Sequence, residues 1–132
     1  MSLELLKIEE LPAPGEQTGA FTKVAIKTGK DESGVEFKHL VSGVELDETD
    51  STGAKFQLVK TYNINFARGL TAFRNDFTDW SGRKLTDYEL SKFDADKLMN
   101  GKPVKLVVRH RKDSKNSVAV IDRFLRTVIP QA

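Results

Sequence analysis

The sequence predicts a mainly β domain, a five-stranded Greek-key barrel with helices inserted between its third and fourth strands. Three observations predict it. Apolar and polar residues alternate in three early segments. The apolar spacing then lengthens to that of an amphipathic helix between residues 66 and 80. After a capped short helix and a Gly-Lys-Pro turn, alternation returns in two late segments.

Residues 1–19 read as an N-terminal arm and residues 20–132 as the domain. In the arm Leu3, Leu5, Leu6, Ile8 and Leu11 are apolar, while Pro12, Pro14 and Gly15 break regular structure. These leucines are expected to pack along the barrel or against another subunit. The first strand covers residues 20–28, with Ala20, Thr22, Val24 and Ile26 on one face and Lys23 and Lys27 on the other. A loop follows at 29–34. The second strand covers 35–46, where Leu40, Val44 and Leu46 alternate with polar positions, and 47–53 is an acidic turn. The third covers 54–64. Phe56, Leu58, Tyr62 and Ile64 share one side, and Lys55, Gln57, Val59 and Thr61 the other.

Phe66, Leu70, Phe73, Phe77 and Trp80 then form a helical stripe. Asn65 is the expected N-cap. Gly69 weakens the helix from within, and Gly82 ends it, because Gly takes positive φ without strain. Thr86-Asp87-Tyr88-Glu89 has the form of a capping box for a short helix that buries Leu90 and Phe93. Asp94 caps a further turn through Leu98 and Met99, stopped by Gly101. Pro103 fits the edge of a new strand. The fourth strand, 104–110, points Val104, Leu106 and Val108 inward and Lys105 and Arg109 outward. A basic turn at 111–116 leads to the fifth strand, 117–126, with Val118, Val120, Ile121, Phe124 and Leu125. This β-β-β-α-β-β order is that of an OB-fold. In OB-folds the ligand surface is the face of the second and third strands with the loops joining strands one–two and four–five. Here those loops are 29–34 and 111–116.

Length and composition narrow the function. A chain of 132 residues is expected to form one domain with a real core. No run of about 18 apolar residues marks a membrane span, and the first residues lack the basic and apolar regions of a signal peptide. A cytoplasmic location is therefore expected. With no Cys in the chain, disulfides, thiolate metal sites and Cys nucleophiles drop out. The formal charge of +2 conceals an asymmetry. Residues 1–65 carry −4 and residues 66–132 carry +6. Between 102 and 126 stand eight cations against Asp113 and Asp122. A one-signed patch attracts a polyanion more than the net charge suggests.

The inventory argues against catalysis, metal and cofactor chemistry. His39 and His110 each lack a close ligand partner for zinc. There is no G-x-S-x-G elbow. Val24 and Asp31 spoil a phosphate loop around Gly29-Lys30, and the acidic cluster Glu45, Asp47, Glu48, Asp50 lacks the EF-hand glycine and final glutamate. Asp94 and Asp96 fit helix starts.

What remains is a cationic surface with interleaved rings, which suits single-stranded nucleic acid: cations follow the phosphates and rings stack on bases. The candidate cations are Lys38, Lys55, Lys60, Arg83, Lys84, Lys105, Arg109, Arg111, Lys112 and Lys115. The candidate rings are Phe37, Tyr62 and Trp80. Phe37, opening a strand beside a loop, is the strongest. Tyr62 is in phase with Phe56 and Leu58, which favours core or rim, and Trp80 reads as core.

The block from Trp80 to His110 resembles a family of small phage-encoded proteins from replication and recombination gene clusters. The resemblance is carried by Trp80, Gly82-Arg83, Thr86-Asp87-Tyr88-Glu89, Phe93, Gly101-Lys102-Pro103 and the strand ending at His110, with Lys60-Thr61-Tyr62 upstream. It covers roughly residues 54–126. It implies an OB-like, non-catalytic protein that binds single-stranded DNA in phage-type replication or recombination, in the cytoplasm of the host cell. The expected partners are single-stranded DNA, replication or recombination proteins, and further copies of the chain. The alternative is a protein–protein adaptor or assembly module of such a complex, with residues 3–11 as its contact element.

Overall fold

The structure, a computed structural model, describes residues 10–113 and 116–129. The elements are β1 (Gly15–Lys30), β2 (Glu36–Thr49), β3 (Lys55–Asn63), α1 (Ala67–Ser81), α2 (Asp87–Ser91), α3 (Ala95–Leu98), β4 (Pro103–Asp113) and β5 (Asn116–Leu125). The strands form one antiparallel sheet in the order β3-β2-β1-β4-β5. The three helices fall between β3 and β4, as the sequence predicts. No ladder joins β3 to β5, so the sheet is not closed by hydrogen bonds. It is nonetheless strongly curled. Lys60 of β3 brings its Nζ within 5.9 Å of the Phe124 ring centroid on β5, the opposite edge strand. Helix α1 lies against both edge strands.

Curling begins at a bulge. The β1–β2 register slips by one residue between Thr22 and Ala25, and Lys23 takes a φ of 53°. An extra residue bends a strand and increases its twist. It also flips the side-chain phase. Phe21 before the bulge and Val24 after it are both buried. The expected face of Ala20, Thr22, Val24 and Ile26 is therefore broken, and Phe21 takes the core position. The bulge leaves Val24 without its normal ladder partner. The Asn100 side chain supplies one: Oδ1 accepts from the Val24 N–H at 2.7 Å, and Nδ2 donates to the Val24 carbonyl at 3.2 Å.

Several boundaries move. β1 starts at Gly15, so residues 15–19 belong to the sheet rather than the arm; Gly15 pairs with Val108 and Gly19 with Val104. Backbone pairing with β4, distant in sequence, holds this polar, glycine-containing segment extended. At Gly19 a Cβ would lie 2.2 Å from the Glu45 carbonyl oxygen, so only Gly allows β1 to approach β2 there. At the other end β1 runs on to Lys30, which shortens the 29–34 loop. Arg111 and Lys112 lie in β4 rather than in a basic turn, because the β4–β5 ladder extends to Asp113 and Asn116.

The core forms where the concave side of the sheet meets α1. Phe21, Leu40, Val44, Leu46, Val104 and Leu106 are buried with Phe73, Phe77 and Trp80. The Trp80 ring packs edge-on to Phe21 at 4.8 Å, and its Nε1 donates to the Pro103 carbonyl at 2.9 Å. Phe66 departs from the predicted stripe. It is the N-cap residue, has extended backbone and is 60% exposed. Asn65 is thus not the cap; its N–H instead donates to the Asn63 side chain at 3.1 Å. The other predicted caps form. Gly82 ends α1 at a φ of 79°, Thr86 and Glu89 make the capping box, and Asp94 caps α3. No helix among the described residues is long and apolar enough to cross a membrane.

Candidate nucleic-acid interface

The candidate cations divide by what lies beside them. Lys60 occupies the same inward phase of β3 as Leu58 and Tyr62, under α1. Its Nζ lies 2.7 Å from Asp76 Oδ2. Tyr62, only 4% exposed, donates its hydroxyl to the same carboxylate. Burial first, and the Asp76 charge second, push the Tyr62 phenol far above its ordinary range. Tyr62 is therefore a buried tie between β3 and α1, not a stacking platform, and Lys60 is committed to Asp76. Both leave the candidate site for one reason: alternation turns them toward the helix, where an acid waits.

Arg83 is also engaged. Its two terminal nitrogens donate to the Glu89 oxygens at 2.8 and 2.9 Å, and its guanidinium lies 5.3 Å from the Phe77 ring centroid. Arg83 and the Thr86 N–H hold the Glu89 carboxyl at about 2, well below the usual carboxylate range. The same bond raises Arg83 above its ordinary value. Lys84 beside it is exposed.

The remaining cations separate into distant places. Lys38 is exposed on the inward phase of β2, two residues before buried Leu40. Lys55 is exposed where β3 begins and pairs across from Thr49, at the other end of that hairpin. Phe37 faces outward and is half-buried, its ring over Gly29, where a Cβ would come within 2.7 Å of Phe37 Cζ. The His39 ring lies 4.9 Å from it at 33°. These two rings, two residues apart on one face of β2, make a small aromatic platform. The i, i+2 spacing of the two residues is legible in the sequence, but only the side-chain conformations bring their rings together.

The β4–β5 hairpin holds the densest group. Val104, Leu106 and Val108 are buried, so Lys105, Arg109 and Arg111 project from the opposite face of β4. Arg123 of β5 pairs with Val107 and joins that face. Alternate strand positions lie about 6.8 Å apart, so these cations form a ladder along the outside of the hairpin. Arg109 is partly engaged, with Nε donating to Asp122 at 3.1 Å. Lys112 has the opposite phase, beside His110, whose Nε2 lies 2.7 Å from the Pro12 carbonyl. Lys115 lies outside the described residues. Arg123 lies outside the cations that the sequence singles out, because only the cross-strand register shows which β4 residues it stands among.

No family model and no curated protein matches the chain.

Proposed function

We propose that this protein binds single-stranded DNA without catalysing a reaction on it, in phage-type replication or recombination. The observation that carries this reading is the outward face of the β4–β5 hairpin, where Lys105, Arg109, Arg111 and Arg123 outnumber the acids described there, Asp122 and, across from Val107 on β1, Glu16. The strand order β3-β2-β1-β4-β5, with helices after β3, supports an OB-like reading, in which a closing seam would run between β3 and β5. The Phe37–His39 platform adds a stacking surface at the β1–β2 loop, where OB-folds hold ligands. A stacked base contributes roughly 1–3 kcal/mol. With so few free rings, phosphate contacts dominate, and binding is salt-sensitive and weakly selective for sequence.

Fluorescence anisotropy with oligo(dT) of about 20–40 nucleotides, several OB site lengths, tests the reading. Binding is expected at low salt. The triple variant Lys105→Glu, Arg111→Glu, Arg123→Glu is expected to lower the slope of log K against log salt by about two units, from three contacts at roughly 0.7 each. Lys112→Glu, on the other face, is the matched control and changes the slope by less than one unit. Absence of binding at low salt defeats the reading. A slope unchanged in the triple variant places the phosphate path elsewhere.

A further inference from the structure

We propose that Asn100 is a self-modifying site, which deamidates when the β1 bulge opens and then hinders the bulge from closing again. Asn63, Asn65, Asn75 and Asn116 precede Ile, Phe, Asp and Ser, whereas Asn100 precedes Gly101. Deamidation begins with attack of the following backbone nitrogen on the side-chain carbonyl carbon. Glycine leaves that nitrogen least hindered, because it has no Cβ. Gly101 also takes a φ of 82°, with open space where a Cβ would stand. Its own sequence context therefore makes Asn100 the most reactive asparagine of the chain.

The fold holds both reacting groups back. Asn100 Oδ1 accepts from the Val24 N–H at 2.7 Å. Nδ2, the leaving group, donates to the Val24 carbonyl at 3.2 Å and to Asp96 Oδ1 at 2.8 Å. The nucleophile is engaged too, since the Gly101 N–H donates to the Phe21 carbonyl at 2.8 Å. Attack requires the amide to turn its carbonyl carbon toward Gly101 and the N–H to give up its proton, which breaks these bonds. They tie the turn between α3 and β4 to β1 on both sides of the bulge, at Phe21 and at Val24. Between those two points Lys23 is held at a φ of 53°, a backbone state that is costly for a residue with a side chain. This segment therefore opens more readily than a regular ladder.

The chemistry runs one way. In the open state the Gly101 nitrogen loses its proton and bonds to Asn100 Cγ. The Cγ–Nδ2 bond breaks, and the nitrogen leaves as ammonia with a proton in place of the one lost. Water then opens the cyclic imide at either carbonyl, giving an aspartate or an isoaspartyl link whose main chain runs through the side chain. The net change is amide and water to carboxylate and ammonia. A carboxylate has no proton to donate. The buried Val24 thus loses the donor to its carbonyl, and the new charge stands against Asp96. Lys23 lines the same cavity and offsets part of that repulsion, while the Val24 carbonyl stays unbonded. None of this depends on the nucleic-acid reading.

Peptide mapping by mass spectrometry tests the proposal, on the full chain held at mildly alkaline pH in buffer and in urea. In urea Asn100 is expected to convert faster than Asn116. In buffer its conversion is expected to be slower by about tenfold or more, because the reaction waits on the open population. Equal rates in buffer and urea overturn the proposal, as does an Asn100 that reacts no faster than Asn116 in urea. The consequence is read from Asn100→Asp, which is expected to raise the unfolding equilibrium constant about tenfold or more in urea unfolding, the effect of an unbonded buried carbonyl. Should that variant fail to fold, protein partly converted in urea, returned to buffer and separated by ion exchange supplies the comparison. The converted fraction is expected to exchange amide hydrogens at residues 21–26 about tenfold faster than the unconverted one. Unchanged stability, or equal exchange, overturns the proposal.

Discussion

Two groups of cations in this molecule use the same side chains to opposite ends. Around α1, Lys60 binds Asp76, Arg74 binds Asp87 and the Leu85 carbonyl, Arg83 binds both Glu89 oxygens, and Arg126 donates to the Ser81 carbonyl. On the outside of β4–β5, Lys105, Arg111 and Arg123 make no ion pair among the described side chains, which do not include that of Asp113, and Arg109 has one at an exposed position. The first group ties helices to the sheet. The second leaves its charge directed at solvent. Charge density along the chain did not separate them; the face each cation occupies did. Partly buried cations gain from a nearby acid because removing either partner strands the other in a poorly solvated place. Exposed cations gain little from pairing and stay available to a polyanion.

Mutations on the helix side are expected to change stability and, under the proposed function, to leave the salt slope of single-stranded DNA binding alone. The largest effect belongs to Asp76→Ala, which leaves the buried Tyr62 hydroxyl and the Lys60 charge without their acceptor. A loss of about 2–3 kcal/mol is expected from an unsatisfied buried group beside a broken ion pair, measured by urea unfolding. A loss below 0.5 kcal/mol, on the order of an ordinary surface change, would show that the tie is not structural.

Gly82→Ala comes next. Its φ of 79° disfavours any side chain, and a Cβ there would fall 1.0 Å from Arg126 Nη1, displacing that guanidinium. About 1–2 kcal/mol of stability is expected to go with the left-handed backbone alone. Thermal unfolding reads it.

The smallest effect concerns Arg83 and Glu89, whose pair is half-open to solvent. Arg83→Ala is expected to cost under about 1 kcal/mol at neutral pH. The sign with pH follows from the direction of the Glu89 shift. Its folded value, about 2, lies below its ordinary 4.5. The pair therefore stabilises fully above about 4.5 and loses its contribution as pH falls toward 2. The stability gap between the unaltered protein and Glu89→Gln is expected to narrow across that window in chemical denaturation at a series of pH values. A gap that stays constant from pH 5 to pH 2.5 contradicts the assigned pair.

Much of the fold is legible because it is local. The Thr86–Glu89 box, the Asp94 cap and the Gly82 stop each depend on residues within one turn of one another. The stripe Leu70, Phe73, Phe77, Trp80 needs only helical spacing. The bulge at Lys23 is not legible, since its partner Asn100 stands 76 residues away. Nor is the start of β1, whose extended state at Gly15 depends on β4. At the site, Phe37 keeps an outward face and Lys105, Arg109 and Arg111 share one. Lys60 and Tyr62 do not belong to it, because a carboxylate on α1 claims both.

By itself the sequence determined the order of strands and helices, their caps, the apolar faces of β2, β3 and β4, and a cationic second half. These follow from periodicity and from contacts a few residues apart. Only the tertiary structure decided the strand order of the sheet, the phase change in β1, the bonds that hold the Asn100 amide, and which cations are spent on acids. Those depend on side chains that meet across the sheet, and the chain does not record such meetings in any local pattern.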